Sequence, residues 1–180
     1  SASNNTAVGY AALTANTTGA SNTAVGKGAL VANTTADDNT GIGTNALTDN
    51  TTGGLNTSIG SEALANNTTA DENTAVGSLS LFTNTTGGSN TAVGHDSLRL
   101  STTGANNSAF GANALRADTT GHSNVAVGGS AGDNITTGDN NIIIGYNIDA
   151  PSATADNQLS IGGWIYGSGG NIGFGVTAPS

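Results

Sequence analysis

One phrase recurs in this chain at a fixed interval of seventeen residues, and a stack of equal coils is what such a pattern folds into. Asn5-Thr6-Ala7-Val8-Gly9 opens the first copy and Asn22-Thr23-Ala24-Val25-Gly26 the second. The first column reads Asn5, Asn22, Asn39, Asn56, Asn73, Asn90, Asn107, Asn124 and Asn141, with no insertion or deletion between them. An altered tenth copy begins at Gln158 and keeps Ile161-Gly162 in phase. The fourth column is Val8, Val25, Ile42, Ile59, Val76, Val93, Phe110, Val127 and Ile144. The fifth is Gly9, Gly26, Gly43, Gly60, Gly77, Gly94, Gly111, Gly128 and Gly145. The ninth is Leu13, Leu30, Leu47, Leu64, Leu81, Leu98 and Leu115, lapsing to Gly132 in the eighth copy.

Alternation of Thr, a small residue and Val before an invariant Gly suits a short β-strand that ends in a turn. Helices are excluded on propensity, because every copy carries Gly, Asn and several Thr and shows no 3.6-residue stripe. The expected fold is therefore all-β: a parallel β-solenoid of about ten coils, each with two short strands and two turns. Seventeen extended residues span roughly 56 Å of path at about 3.3 Å each, enough to close one such coil. Stacking at about 4.8 Å turns each column into a ladder. Val and Leu are expected to point into a thin apolar core, and the Gly column to adopt positive φ. The Asn column is expected to stack its side-chain amides, each donating to the next. The boundaries read as a lead-in at 1–4, repeats at 5–157, and an atypical last coil with a cap or tail at 158–180. Trp164, Tyr166 and Phe174 fall in that last region, which would cover the open end of the stack or form an aromatic ligand patch.

Burying one Val and one Leu per coil gains far less than ordering seventeen residues costs, so packing against further copies of the chain is expected. The net charge of −9 arises from few bases (Lys27, Arg99 and Arg116), which disfavours nucleic acid. No stretch of eighteen apolar residues exists, so no membrane insertion is expected. With no Cys there is no disulfide and no thiolate metal site, and the absent initiator Met suggests a processed product or a fragment.

Motifs of catalysis are weak. Gly128-Gly129-Ser130-Ala131-Gly132 has nucleophile-elbow spacing, but its glycines fall where the repeat already supplies them. His95-Asp96-Ser97 places triad residue types side by side, where neighbours in sequence do not form a triad. Asp37-Asp38 and Asp71-Glu72 occupy one turn two coils apart, too far for one calcium ion to bridge, and read as a solvated acidic face. Asn-Thr-Thr sequons recur because the turn recurs. Regular Thr ladders raise ice binding, yet the paired Thr are adjacent and would face opposite sides of an extended strand. No enzyme, cofactor or metal site is expected.

Asn-Thr-Ala-Val-Gly followed by small residues and Leu resembles the head repeats of trimeric autotransporter adhesins. With Asn-Thr-Thr-Gly after it, the phrase looks still more like repeats of bacteriophage tail-fibre proteins, and the tail Asn171 to Ser180 resembles the lead into their self-cleaving chaperone domain. The resemblance implies a left-handed β-roll, three chains side by side, and a place on a virion tail or a bacterial cell surface. The expected function is a structural fibre or adhesin module, a rod-like spacer or presenting shaft. Alternatives are a self-assembling extracellular filament, a carbohydrate-binding solenoid using Tyr10, Lys27 and Phe82 on a cell-surface glycan, and an ice-binding solenoid.

Overall fold

A computed structural model describes residues 2–168 and the backbone of 171–174. It is all-β, with twelve strands in one sheet in strict chain order. Strands β1 (Thr6–Val8) and β2 (Thr23–Val25) set a phase that continues coil by coil to β9 (Ile142–Ile144). Neighbours pair parallel and in register, so Thr6 faces Thr23, Ala7 faces Ala24 and Val8 faces Val25. β10 (Gln158–Ile161) adds one more parallel rung to β9. The direction then reverses: β11 (Ile165–Ser168) and β12 (Asn171–Phe174) close the end as an antiparallel meander. The side chain of Phe174 and the segment beyond it lie outside the described residues.

The chain is thus a parallel β-solenoid with seventeen-residue coils, but each coil holds one strand rather than two. The Leu segment returns as a chain of turns instead. From Leu30 to Leu115 the Leu column sits in the left-handed region, with φ between 48° and 51°. A branched side chain there is strained by roughly 1 kcal/mol. Stacking holds it in place: the Leu30 N–H donates to the Ala46 carbonyl of the next coil at 3.0 Å, and the Leu47 N–H to Ala63 at 3.1 Å.

The core is thinner than the columns imply. Its wall on the strand side is the third column, Ala24, Ala75, Ala92, Ala109 and Ala126, all fully buried. Leu30, Leu47, Leu64, Leu81, Leu98 and Leu115 fill it from the opposite wall, also fully buried. The Val column, assigned above to the core, faces outward: Val8 is 58% exposed, Ile42 37%, Ile59 38%, Phe110 43% and Val127 40%. Val25, Val76, Val93 and Ile144 are half-buried on the same face. The reason is space. A Cβ added to Gly41, in the third column, would already lie 3.3 Å from Leu30 Cγ, so only a small residue fits between the strand and Leu. Strand alternation then sends Thr and Val out together.

Two Asn ladders stitch the coils. In the first column the side chain bonds backbone rather than another amide: Asn39 N–H donates to Asn22 Oδ1 at 3.0 Å, and Asn22 Nδ2 donates to the Ala36 carbonyl at 2.8 Å. The amide-on-amide stack occurs in the twelfth column, within the Asn-Thr-Thr turn. There Asn67 Nδ2 donates to Asn50 Oδ1 and Asn84 Nδ2 to Asn67 Oδ1, both at 2.9 Å. Each also donates to the carbonyl three residues on, as Asn67 does to Ala70 at 3.0 Å. These bonds satisfy fully buried amides that would otherwise be costly.

The twelfth column breaks at Ser101, Asp118 and Ile135, and each break has a structural trace. Asn84 Oδ1 and Ser101 Oγ are buried without a hydrogen-bond partner where the donor of the next rung is missing. Ile135 is fully buried and takes over the core volume where Gly132 replaces Leu, its Cδ1 lying 3.4 Å from a Cβ placed on Gly132. Asp118 accepts the Gly121 N–H at 2.8 Å, but its Oδ2 is buried without a partner. Burial pushes its carboxyl up to about 6 from 3.8, against the lowering effect of that hydrogen bond.

Between those two pH values the fold binds more protons than the unfolded chain, so stability falls as pH rises from about 4 through about 6 and is flat above. Asp118→Asn restores the column's donor and removes the buried charge. It is expected to raise stability by up to about 3 kcal/mol above pH 6, with that part of the gain vanishing near pH 4. Urea unfolding of both chains at pH 4 and pH 7.5 measures it; an equal gain at both values refutes the charge as the cause.

Candidate functional site

The outward side of the sheet is an organised surface. On β1 to β9 it presents the second and fourth columns, Thr-Val in the first coils and Ile142 with Ile144 in the ninth, with no charged residue in either column. Thr6, Thr23, Thr40, Thr57, Thr74 and Thr91 therefore form a hydroxyl ladder beside the Val and Ile ladder, paired rung by rung. The adjacent Thr pair of the turn is arranged differently. Its first member is held in place, Thr34 Oγ1 donating to the Thr51 carbonyl at 3.0 Å and Thr51 Oγ1 to Thr68 at 3.0 Å. The regular Thr array is on the strand, a placement the reading of the turn alone missed, although period-two alternation carries the signal.

The acidic turn residues have a structural task. Asp37 Oδ1 accepts the Ala20 N–H of the coil before it at 2.7 Å, and Asp71 Oδ1 accepts that of Gly54 at 2.7 Å. Asp139 and Asp156 repeat the contact nearer the C-terminal end. Each carboxylate thus caps an edge amide; Asp38 and Glu72 beside them lie in the left-handed region.

One charge cluster holds two of the three bases. Asp96, nearly buried, lies 3.5 Å from Arg99, 3.8 Å from Arg116 and 3.6 Å from the His95 ring. Ser97 turns the other way, into the core, where its hydroxyl donates to the Ala109 carbonyl at 3.3 Å. The three residues of the His95-Asp96-Ser97 run are therefore not aligned for proton relay. Ser130 of the elbow-like run sits in a left-handed turn, with φ 53° and no helix following. Tyr10 and Lys27 share one column of adjacent coils and are both exposed, but Phe82 lies in a different column three coils away, so the structure does not gather them.

A last feature is at the C-terminal end. A cleft of about 360 Å³, open to solvent, is lined by Asn147, Ile148, Asp149, Pro151, Ser160 and Tyr166 around Ala150. It forms where the chain leaves the coil path after β10 and returns antiparallel, so that among the described residues no Leu segment fills the tenth interior. Among the described residues no group of three or more His, Asp or Glu gathers to hold a metal ion. Comparison with protein-family models, with curated proteins and with solved structures returns no match, so what is established about the chain is its architecture: a parallel β-solenoid of seventeen-residue, β-roll-type repeats.

Proposed function

We propose that the chain is a structural fibre module, a rod that associates side by side with further copies of itself and acts as a spacer or presenting shaft on a virion tail or bacterial surface. The observation that carries this reading is the uncharged Thr and Val face running the length of β1 to β9. A continuous uncharged face of this kind, partly exposed and half of it Val and Ile, marks a contact surface. Its period argues for the partner: a second copy keeps every rung in phase along the whole rod, whereas an unrelated surface would meet only a few. The face measures roughly 40 Å by 10 Å from strand spacing, about half the roughly 800 Å² per partner of a stable pairwise interface. Three rods turning this face toward one shared axis would let each rod contact two neighbours, with the flanking turns supplying the remaining area. The likeness of Asn-Thr-Ala-Val-Gly-x-x-Ala-Leu to tail-fibre and adhesin repeats supports the same arrangement.

The test is mass in solution by sedimentation equilibrium. A trimer is the expected result, and Ile59→Asp with Val76→Asp is expected to yield a monomer whose β-sheet circular dichroism is unchanged. A wild-type monomer at micromolar concentration overturns the proposal. A second reading draws on the same face: six coils carry Thr and Val or Ile at alternating spacing on paired strands, an arrangement suited to ordering water. Phe110 interrupts it. Thermal hysteresis in a monomeric wild-type sample would favour ice binding over assembly.

A further inference from the structure

We propose that the cleft between the ninth coil and the terminal meander is a subsite for one neutral sugar ring, held against Tyr166 and Pro151 and hydrogen-bonded by Asn147, Asp149 and Ser160. Sugar binding there does not depend on how the rods associate. At about 360 Å³ the cleft lies at the small end of ligand pockets, the size for one ring and not a chain. Its walls are of two kinds. Tyr166, Pro151 and Ile148 offer apolar surface suited to the C–H face of a pyranose, while Asn147 and Asp149 offer an amide and a carboxylate to its rim and the buried Ser160 lines the cleft wall.

Two observations point to a ligand rich in hydroxyl groups. Ser160 is fully buried, lines the cleft, and its Oγ has no hydrogen-bond partner. Ser160 pairs directly across the antiparallel ladder with Tyr166, which brings the polar atom and the aromatic ring to the same side of the sheet. The electrostatics select further. Among the described residues no Lys, Arg or His lines the cleft, and Asp149 stands beside Asp133, so phosphate, sulfate and carboxylate ligands are repelled. Burial first, and then the Asp149 carboxylate, hold Asp133 above the usual carboxylate range, so a donor from a ligand hydroxyl to Asp149 relieves crowding already present. Tyr146 and Trp164 stand 84% and 76% exposed on the same last turns, a place for a longer glycan to continue.

Saturation-transfer NMR on the intact chain tests this with the methyl glycosides of glucose, galactose, mannose and N-acetylglucosamine, with calcium chloride and inorganic phosphate as competing probes. At least one glycoside is expected to bind saturably, with Kd on the order of 1–10 mM. Asp149→Ala and Tyr166→Ala should each weaken it at least about tenfold. Asp149 lies outside the meander, so its variant reports even if Tyr166→Ala loosens β11. Absence of saturable binding by all four glycosides, binding unchanged in Asp149→Ala, or calcium or phosphate displacing the sugar from the cleft would overturn the proposal. Loss of sugar binding with the mass in solution unchanged separates this site from the assembly face.

Discussion

Gly77→Ala is expected to cost about 3–5 kcal/mol and to divide the rod into two separately melting blocks. Gly77 has φ 132°, a region that residues bearing a Cβ rarely adopt, and an added methyl would lie 2.5 Å from the Gly94 carbonyl oxygen and 3.0 Å from the His95 nitrogen. Both atoms are backbone of the next coil. Neither can step aside, because the Gly94 N–H is itself bonded to the Val76 carbonyl at 2.7 Å. The same close approach repeats at Gly9, Gly26, Gly43, Gly60, Gly94, Gly111 and Gly128, each against the glycine seventeen residues on. Since each coil contacts only its neighbours, one bad junction weakens one interface and leaves those on either side intact. Hydrogen exchange should show protection falling at the fifth and sixth coils first. Gly129→Ala is the control: its Cβ would meet the Tyr146 ring at 3.4 Å, an ordinary contact, and a loss under about 0.5 kcal/mol is expected. Equal effects at the two glycines would show that close stacking of this column is not what sets the coil spacing.

Leu64→Ala comes next in size, at about 3 kcal/mol. Leu64 is fully buried and is the largest side chain its coil places in the core. The alanines on the strand side are too short to collapse into the space it leaves, so the cavity term adds to the transfer term. Its φ of 49° stays strained in the variant, so no relief offsets the loss. Ile59→Ala in the same coil removes about as much hydrocarbon from the outward face. At a concentration where the chain is monomeric it should cost under about 1 kcal/mol. Chemical denaturation of both variants measures the difference. A larger loss at Ile59 would mean that the fourth column lines the core after all.

That pair of residues marks the limit of what the columns alone can tell. Periodicity settles that Leu64 and Leu81 stack, that Ile59 and Val76 stack, and that a Gly follows each strand. These are consequences of a chain that returns to the same place every seventeen residues, because identical neighbours above and below demand identical conformations. The Gly column's positive φ was legible for the same reason. Alternation also places Thr57 and Ile59 on one face and Ser58 on the other.

Which of those faces is inside is a matter of volume, and volume belongs to the closed coil. Hydrophobicity ranks Ile above Ser and Ala and points the wrong way. Once Leu reaches across from the far wall, only a small side chain fits on the strand, so Ser58 is buried with its hydroxyl donating to the Ala63 carbonyl at 2.7 Å, and Ile59 is left outside. The left-handed turns that aim Leu inward, the amide stack hidden in the Asn-Thr-Thr turn, and the cleft left where β11 reverses direction all depend on contacts between neighbouring coils, sixteen or seventeen residues apart, or on the end of the stack. The local sequence decides what repeats; the narrowness of the coil decides what faces water.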